Sequence, residues 1–191
     1  MRKLNLILSY LSLLSVAIFR KPGLHPLFGN IARISLLIIV FSRPLADIFS
    51  HKKIGIYLRK IVSIRQGLGI ICGIFALAHG LGYFLSIDLS LINIFSNGNL
   101  RNIQTMIGSG LRAMVFMLPP LITSHRFWIL KLKKNRKNIQ RFTYPAFVLT
   151  TIHIGIVKGE LLSYIIILIF YSGIYYLAYK TKKGTKELKK I

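Results

Sequence analysis

Acidic residues are scarce in this chain: 4 Asp and Glu among 191 residues. That leaves no carboxylate pair for general acid–base work and no spare acid to orient a Ser-His arrangement. Asp47 and Asp88 fall at the ends of apolar stretches, so a carboxylate proton relay within a membrane is also unsupported. Cysteine is scarcer still. The single Cys72 lies inside an apolar run, which excludes a disulfide framework and a thiolate metal site and reads as a small packing residue. There is no glycine loop to cradle phosphate and no internal repeat. No polar stretch between the apolar ones is long enough to be a soluble domain. No nicotinamide or flavin domain is read after the last apolar stretch, so a reductant is expected to bind from elsewhere.

What the chain has in quantity is apolar residues, 53%, and 27 Lys and Arg, for a formal charge of +23. A soluble domain rarely combines the two. They reconcile if the apolar residues sit in lipid and the basic ones in loops, where Lys and Arg set orientation. Nucleic-acid binding is the other use of such a charge. Here the basic residues cluster between apolar stretches rather than along one surface, so the expected partner is the lipid bilayer and no nucleic acid.

A membrane-spanning helix needs about 20 mostly apolar residues. Six stretches qualify as candidates: Leu4–Phe19, Leu27–Phe49, Ile64–Ile87, Ile103–Thr123, Ile139–Val157 and Leu161–Tyr179. Met1-Arg2-Lys3 before the first stretch, with Ser15-Val16-Ala17 near its end, has the look of a signal peptide. The charge pattern favours an uncleaved first span. With the N-terminus inside and six crossings, 21 of the 27 basic residues fall on the inner side, in Arg2-Lys3, the Arg43–Arg65 and Arg126–Arg141 groups, and the Lys180–Lys190 tail. The expectation is an all-α, multi-pass protein of the inner or plasma membrane. Residues 1–191 form one transmembrane domain of about six helices, with both termini cytoplasmic and a basic tail over 180–191. The basic runs serve orientation and attraction to anionic lipid, about 1 kcal/mol per residue.

Ionisable side chains inside a bilayer are rare and usually functional. His25, His51 and His125 fall in loops or at a span end and read as solvated or interfacial residues. His79 and His153 lie well within apolar stretches. His79 is 14 residues beyond Arg65, roughly 21 Å at 1.5 Å per residue, and His153 is 12 beyond Arg141, roughly 18 Å. Both spans run from inside to outside, so the two imidazoles reach similar heights in the outer half. Two neutral imidazoles from facing helices suit the axial positions of haem iron. Small neighbours of His79 (Cys72, Ala76 and Gly82) would admit a flat macrocycle, or equally close helix packing without one. Arg33 and Arg112 also lie within spans, and each needs a partner there. Haem propionates would serve; snorkelling for Arg33 and bonding to backbone for Arg112 are the plainer accounts.

Over about Leu27–Glu160 the chain resembles the ferric-reductase-like transmembrane cytochromes. The likeness is carried by Ala32-Arg33 with Pro44-Leu45, by Arg65, Leu68 and Gly69 followed by His79 and Tyr83, and by Leu118-Pro119, Thr123-Ser124 and Trp128. Arg141, Tyr144 and His153 complete it. Within that family it most resembles the haem-binding membrane subunits of methionine sulfoxide reductase systems. The resemblance implies a haem b cytochrome with His79 and His153 as axial ligands and Tyr83 in the pocket. It also implies electrons passing from a cytoplasmic flavin reductase or membrane quinol to an outer-face acceptor, a methionine sulfoxide reductase catalytic subunit. One position departs from the family. Gln140 stands where a further histidine is expected, so a single haem is anticipated, and a quinone or flavin contact is the weaker role left for the amide. The alternatives are a ferric or other metal reductase and, from a different class, a cofactor-free small transporter or assembly subunit.

Overall fold

The computed structural model describes residues 23–86, 102–124 and 126–188. The expected first span Leu4–Phe19 and its alternative cleavage site, together with Asp88, Arg101 and His125, lie outside the described residues.

Helix α1 (His25–Ile48) places Pro26 in its first turn, where no backbone N–H is required. Its apolar positions recur at helical spacing, and Leu36, Ile39 and Val40 are buried. The stretch after it, expected as a loop, forms a short amphipathic helix, α2 (Lys53–Ser63), with Gly55 its one buried residue. A Cβ on Gly55 would collide with the Phe49 carbonyl, which is why glycine stands at this crossing. Helix α3 (Arg65–Ser86) matches the expected third span to within one residue at each end.

Helix α4 (Met106–Thr123) begins three residues later than expected, because the Thr105 side chain accepts from Gly108 N at 3.0 Å and sets the N-cap. The basic stretch after it is helical in pieces: α5 (Arg126–Leu132), a single 3₁₀ turn over Lys133–Asn135, and α6 (Arg136–Gln140). Helix α7 (Thr143–Lys158) starts four residues after the expected Ile139, since Arg141 and Phe142 turn the chain and Pro145 falls where a first turn tolerates it. It ends at Gly159, whose φ of +69° is the left-handed conformation that glycine adopts freely. Helix α8 (Leu161–Leu188) then continues nine residues past the expected Tyr179 into the basic tail.

No strand occurs among the described residues. Three helices, α3, α4 and α8 over Leu161–Lys182, are long and apolar enough to cross a membrane. α7, at 16 residues, falls short of the usual span length. Directions alternate: the start of α1 lies beside the end of α3, and Gln66 at the start of α3 donates to the Ser124 carbonyl after α4 at 2.9 Å. One end of the bundle therefore gathers the Lys52–Arg65 and Lys131–Arg141 segments. The other holds the late turns of α3 and α7 and the first turns of α1 and α4.

The core joins Leu36, Ile39 and Val40 of α1 to Cys72 of α3, Met117 of α4 and Phe147 of α7, with α8 packed over it through Ile167, Leu168 and Tyr171. Small hydroxyls in and around it bond back to their own helix, as Thr151 does to the Phe147 carbonyl at 2.8 Å. Outside, large apolar side chains are turned outward along α8, with Leu162 73% and Ile169 66% exposed. So much apolar surface is costly in water and costs nothing in lipid.

Candidate cofactor-binding site

His79 is seven residues from the end of α3, and His153 five from the end of α7. α3 and α7 run in the same direction, each antiparallel to the helix that holds its histidine, so both rings fall at the end of the bundle opposite the basic loops. Their ring centres are 6.4 Å apart with planes inclined at 68°. Each ring is fixed from behind by a neighbouring helix. His79 Nδ1 is 2.7 Å from the carbonyl oxygen of His25, the first residue of α1, and His153 Nδ1 is 2.9 Å from that of Met106, the first residue of α4. A carbonyl only accepts, so both Nδ1 atoms carry the proton and both Nε2 atoms keep a lone pair. Ser109 Oγ stands 3.4 Å from the same His153 nitrogen. This is the arrangement by which a carbonyl orients an imidazole for a metal at its other nitrogen.

The device repeats in a second respect. Four residues after each accepting carbonyl comes a glycine, Gly29 on α1 and Gly110 on α4. A Cβ on Gly29 would stand 3.0 Å from His79 Nδ1, and one on Gly110 would stand 2.9 Å from His153 Nδ1. The helix pairs α1–α3 and α4–α7 thus hold their histidines in the same way: carbonyl above, glycine beneath the ring. Neither glycine, nor Met106 or Ser109, announces this role in the sequence, because the spacing that matters runs between helices.

Both rings line one cavity of about 430 Å³, within the roughly 300–1,000 Å³ typical of small-ligand sites. Its walls are largely apolar: Leu36, Cys72, Ala76, Leu111, Met114 and Met117 are among them. Cys72 Sγ is turned to the Ala32 carbonyl at 3.3 Å, which suits the packing role read for it. Of the other residues singled out from sequence, Ala76, Tyr83 and Arg33 also line the cavity, and Arg33 Nε is buried with no hydrogen-bond partner among the described residues. Gly82 does not line it but lies against the His25 Cβ, 3.0 Å from where its own Cβ would be. Arg112 is not among the lining residues. Gln140 is remote, at the end of α6, and its amide oxygen, turned toward Arg136, accepts from Nε at 2.8 Å and Nη2 at 2.9 Å.

His25, read from sequence as a solvated loop residue, belongs to the site. Its ring lines the cavity 6.1 Å from that of His79 and 6.0 Å from that of Tyr83. Lys158 lines the cavity from the last turn of α7.

The residues fit a bis-imidazole metal macrocycle. Metal–nitrogen bonds of about 2.0 Å on either side of one metal put the centres of two axial imidazoles roughly 6 Å apart. The angle between the ring planes is unrestricted in such a pair. A bare ion fits less well: among the described residues no three His, Cys, Asp or Glu side chains converge as a ligand set. No protein-family model, characterised protein or solved structure matches this chain.

Proposed function

We propose that the chain is a multi-pass membrane cytochrome that carries electrons through a haem b held by His79 and His153. The observation that carries this reading is the pair of imidazoles 6.4 Å apart, each with Nδ1 committed to a backbone carbonyl, across one apolar cavity. A haem bound there would supply one-electron chemistry between its ferrous and ferric states. The protein's part would be to commit both Nδ1 atoms so that each Nε2 is free for the metal, to keep the surroundings apolar, and to offer Arg33 to the anionic edge.

The basic end of the bundle is the cytoplasmic one by the positive-inside rule, with six spans and both termini inside. The cavity then lies toward the outer face. This places the site to pass electrons to an acceptor outside the membrane, as the resemblance to the methionine sulfoxide reductase subunits implies. The donor on that reading is a cytoplasmic flavin reductase or a membrane quinol. Gln140 is spent on Arg136, which favours one haem rather than two.

The test is the absorption spectrum of the purified full chain from haem-replete cells, oxidised and reduced. A low-spin bis-histidine b-type spectrum is expected, lost when His79 or His153 becomes Ala. A colourless protein rules the reading out.

A further inference from the structure

Three buried polar side-chain atoms have no hydrogen-bond partner among the described residues: His25 Nδ1, Arg33 Nε and the Tyr171 hydroxyl. The first two belong to residues lining the cavity. A buried polar atom left without a partner costs about 1–3 kcal/mol, so two beside one cavity mark where a ligand's polar groups belong.

We infer that His25 is a third binding residue of this site, its Nδ1–H donating to a carboxylate on the edge of the macrocycle that His79 and His153 hold; the inference rests on the haem reading.

Four observations carry it. First, His25 is built into the site through its main chain, since its carbonyl oxygen holds His79 Nδ1 at 2.7 Å. Second, its side chain is seated where it is by the absence of a Cβ on Gly82 and by the Tyr83 ring at 6.0 Å. Third, the charge around the cavity has one sign. Among the described residues Arg33 and Lys158 line it, no Asp or Glu does, and the first turn of the 24-residue α1 has no side-chain cap to satisfy its N–H groups. Such a helix start favours an anion. Fourth, the remaining walls are mostly apolar, so the matching ligand is amphiphilic, with an apolar body and an anionic edge.

Arg33 lies eight residues along α1, about 12 Å of axis. Long helical side chains tend to lean toward the N-terminus, which is the end of α1 that His25 occupies. The two orphaned donors then serve one ligand edge, with Lys158 at its rim.

The experiment uses the purified full chain loaded either with protohaem or with its dimethyl ester, which lacks the carboxylates. Transfer of the macrocycle to an excess of a haem-scavenging apoprotein gives the release rate, and a redox titration gives the midpoint potential. His25→Phe keeps an aromatic ring and removes the donor. His25→Asn keeps an N–H near the position of Nδ1, and His25→Leu is a second donor-free variant should His25→Phe not fold. The donor-free variant should retain the two-imidazole spectrum, release protohaem about tenfold faster and titrate at a lower potential, because a less compensated carboxylate favours ferric iron. With the dimethyl ester, wild type and variant should release at the same rate. His25→Asn should stay within about threefold of wild type for protohaem. An unchanged protohaem rate, or a tenfold effect that persists with the ester, overturns the inference while leaving the haem reading standing. A wild-type chain that takes up neither macrocycle removes both.

Discussion

His79 and His153, on helices α3 and α7, face one cavity with their ring centres 6.4 Å apart. Each is tied to the opening turn of a different neighbouring helix, so the pair is held by four helices rather than two. Rigid support of this kind lets a ligand pair keep its geometry in both oxidation states of a bound metal.

Truncation of either histidine should therefore leave a hole of defined shape rather than a collapsed site. His79→Gly and His153→Gly are each expected to lose the low-spin spectrum and regain it with millimolar imidazole. The check is a titration followed in the visible spectrum. Failure of imidazole to restore the spectrum in both variants would show that the rings pack without ligating.

The two glycines beneath the rings should differ in tolerance. A Cβ on Gly110 meets both Cε1 and Nδ1 of His153 at 2.9 Å, whereas one on Gly29 stands 3.0 Å or more from His79. Overpacking of this kind costs about 1–3 kcal/mol. Gly110→Ala should weaken haem retention about tenfold and Gly29→Ala less, both measured by the rate of transfer to a scavenger. The reverse order would contradict the ring positions.

Arg33 is expected to have opposite effects in the empty and loaded protein. Without an anion its buried Nε is unsatisfied, which is costly in an apolar setting. Arg33→Leu should raise the melting temperature of haem-free protein and lower that of the haem-loaded form relative to wild type. Thermal unfolding in detergent of both forms provides the measurement. A fall in both would place Arg33 in fold stability alone.

Gln140 and Arg136 bond to each other far from the cavity. Gln140→Ala is accordingly expected to leave the spectrum, the potential and the haem content unchanged. One haem per chain should be found by the pyridine haemochrome assay; two per chain would require a second site that Gln140 does not prevent.

Orientation can be read with single cysteines, because the native thiol of Cys72 is fully buried and directed at the Ala32 carbonyl. Lys158→Cys should react with an impermeant maleimide on intact cells, and Lys137→Cys only after permeabilisation. Labelling with the opposite sidedness would invert the proposed topology.

The extent of α3, the end of α4 and the start of α8 were legible in the sequence, because long apolar runs broken by basic clusters leave little choice. The helical pieces at the basic end were less so. α2, α5 and α6 are short and were not expected as separate helices, although Ile54, Ile56 and Tyr57 make α2 partly apolar. The later starts of α4 and α7 followed from a threonine cap and a proline-bearing turn, which act locally and escape a count of apolar residues.

For the site, the sequence by itself determined that two histidines lay at similar depth in apolar helices, since 1.5 Å per residue converts position into height. It also singled out Arg33, Cys72, Ala76 and Tyr83, all of which line the cavity. Only the tertiary structure decided which helices face one another. It brought His25 from a supposed loop to the cavity wall, set Gly29 and Gly110 beneath the two rings, and left Arg112 and Gln140 out of the cavity lining. The physical reason is that depth follows from the rise along one helix, whereas the rotation of each helix about its axis is fixed only by packing against the others.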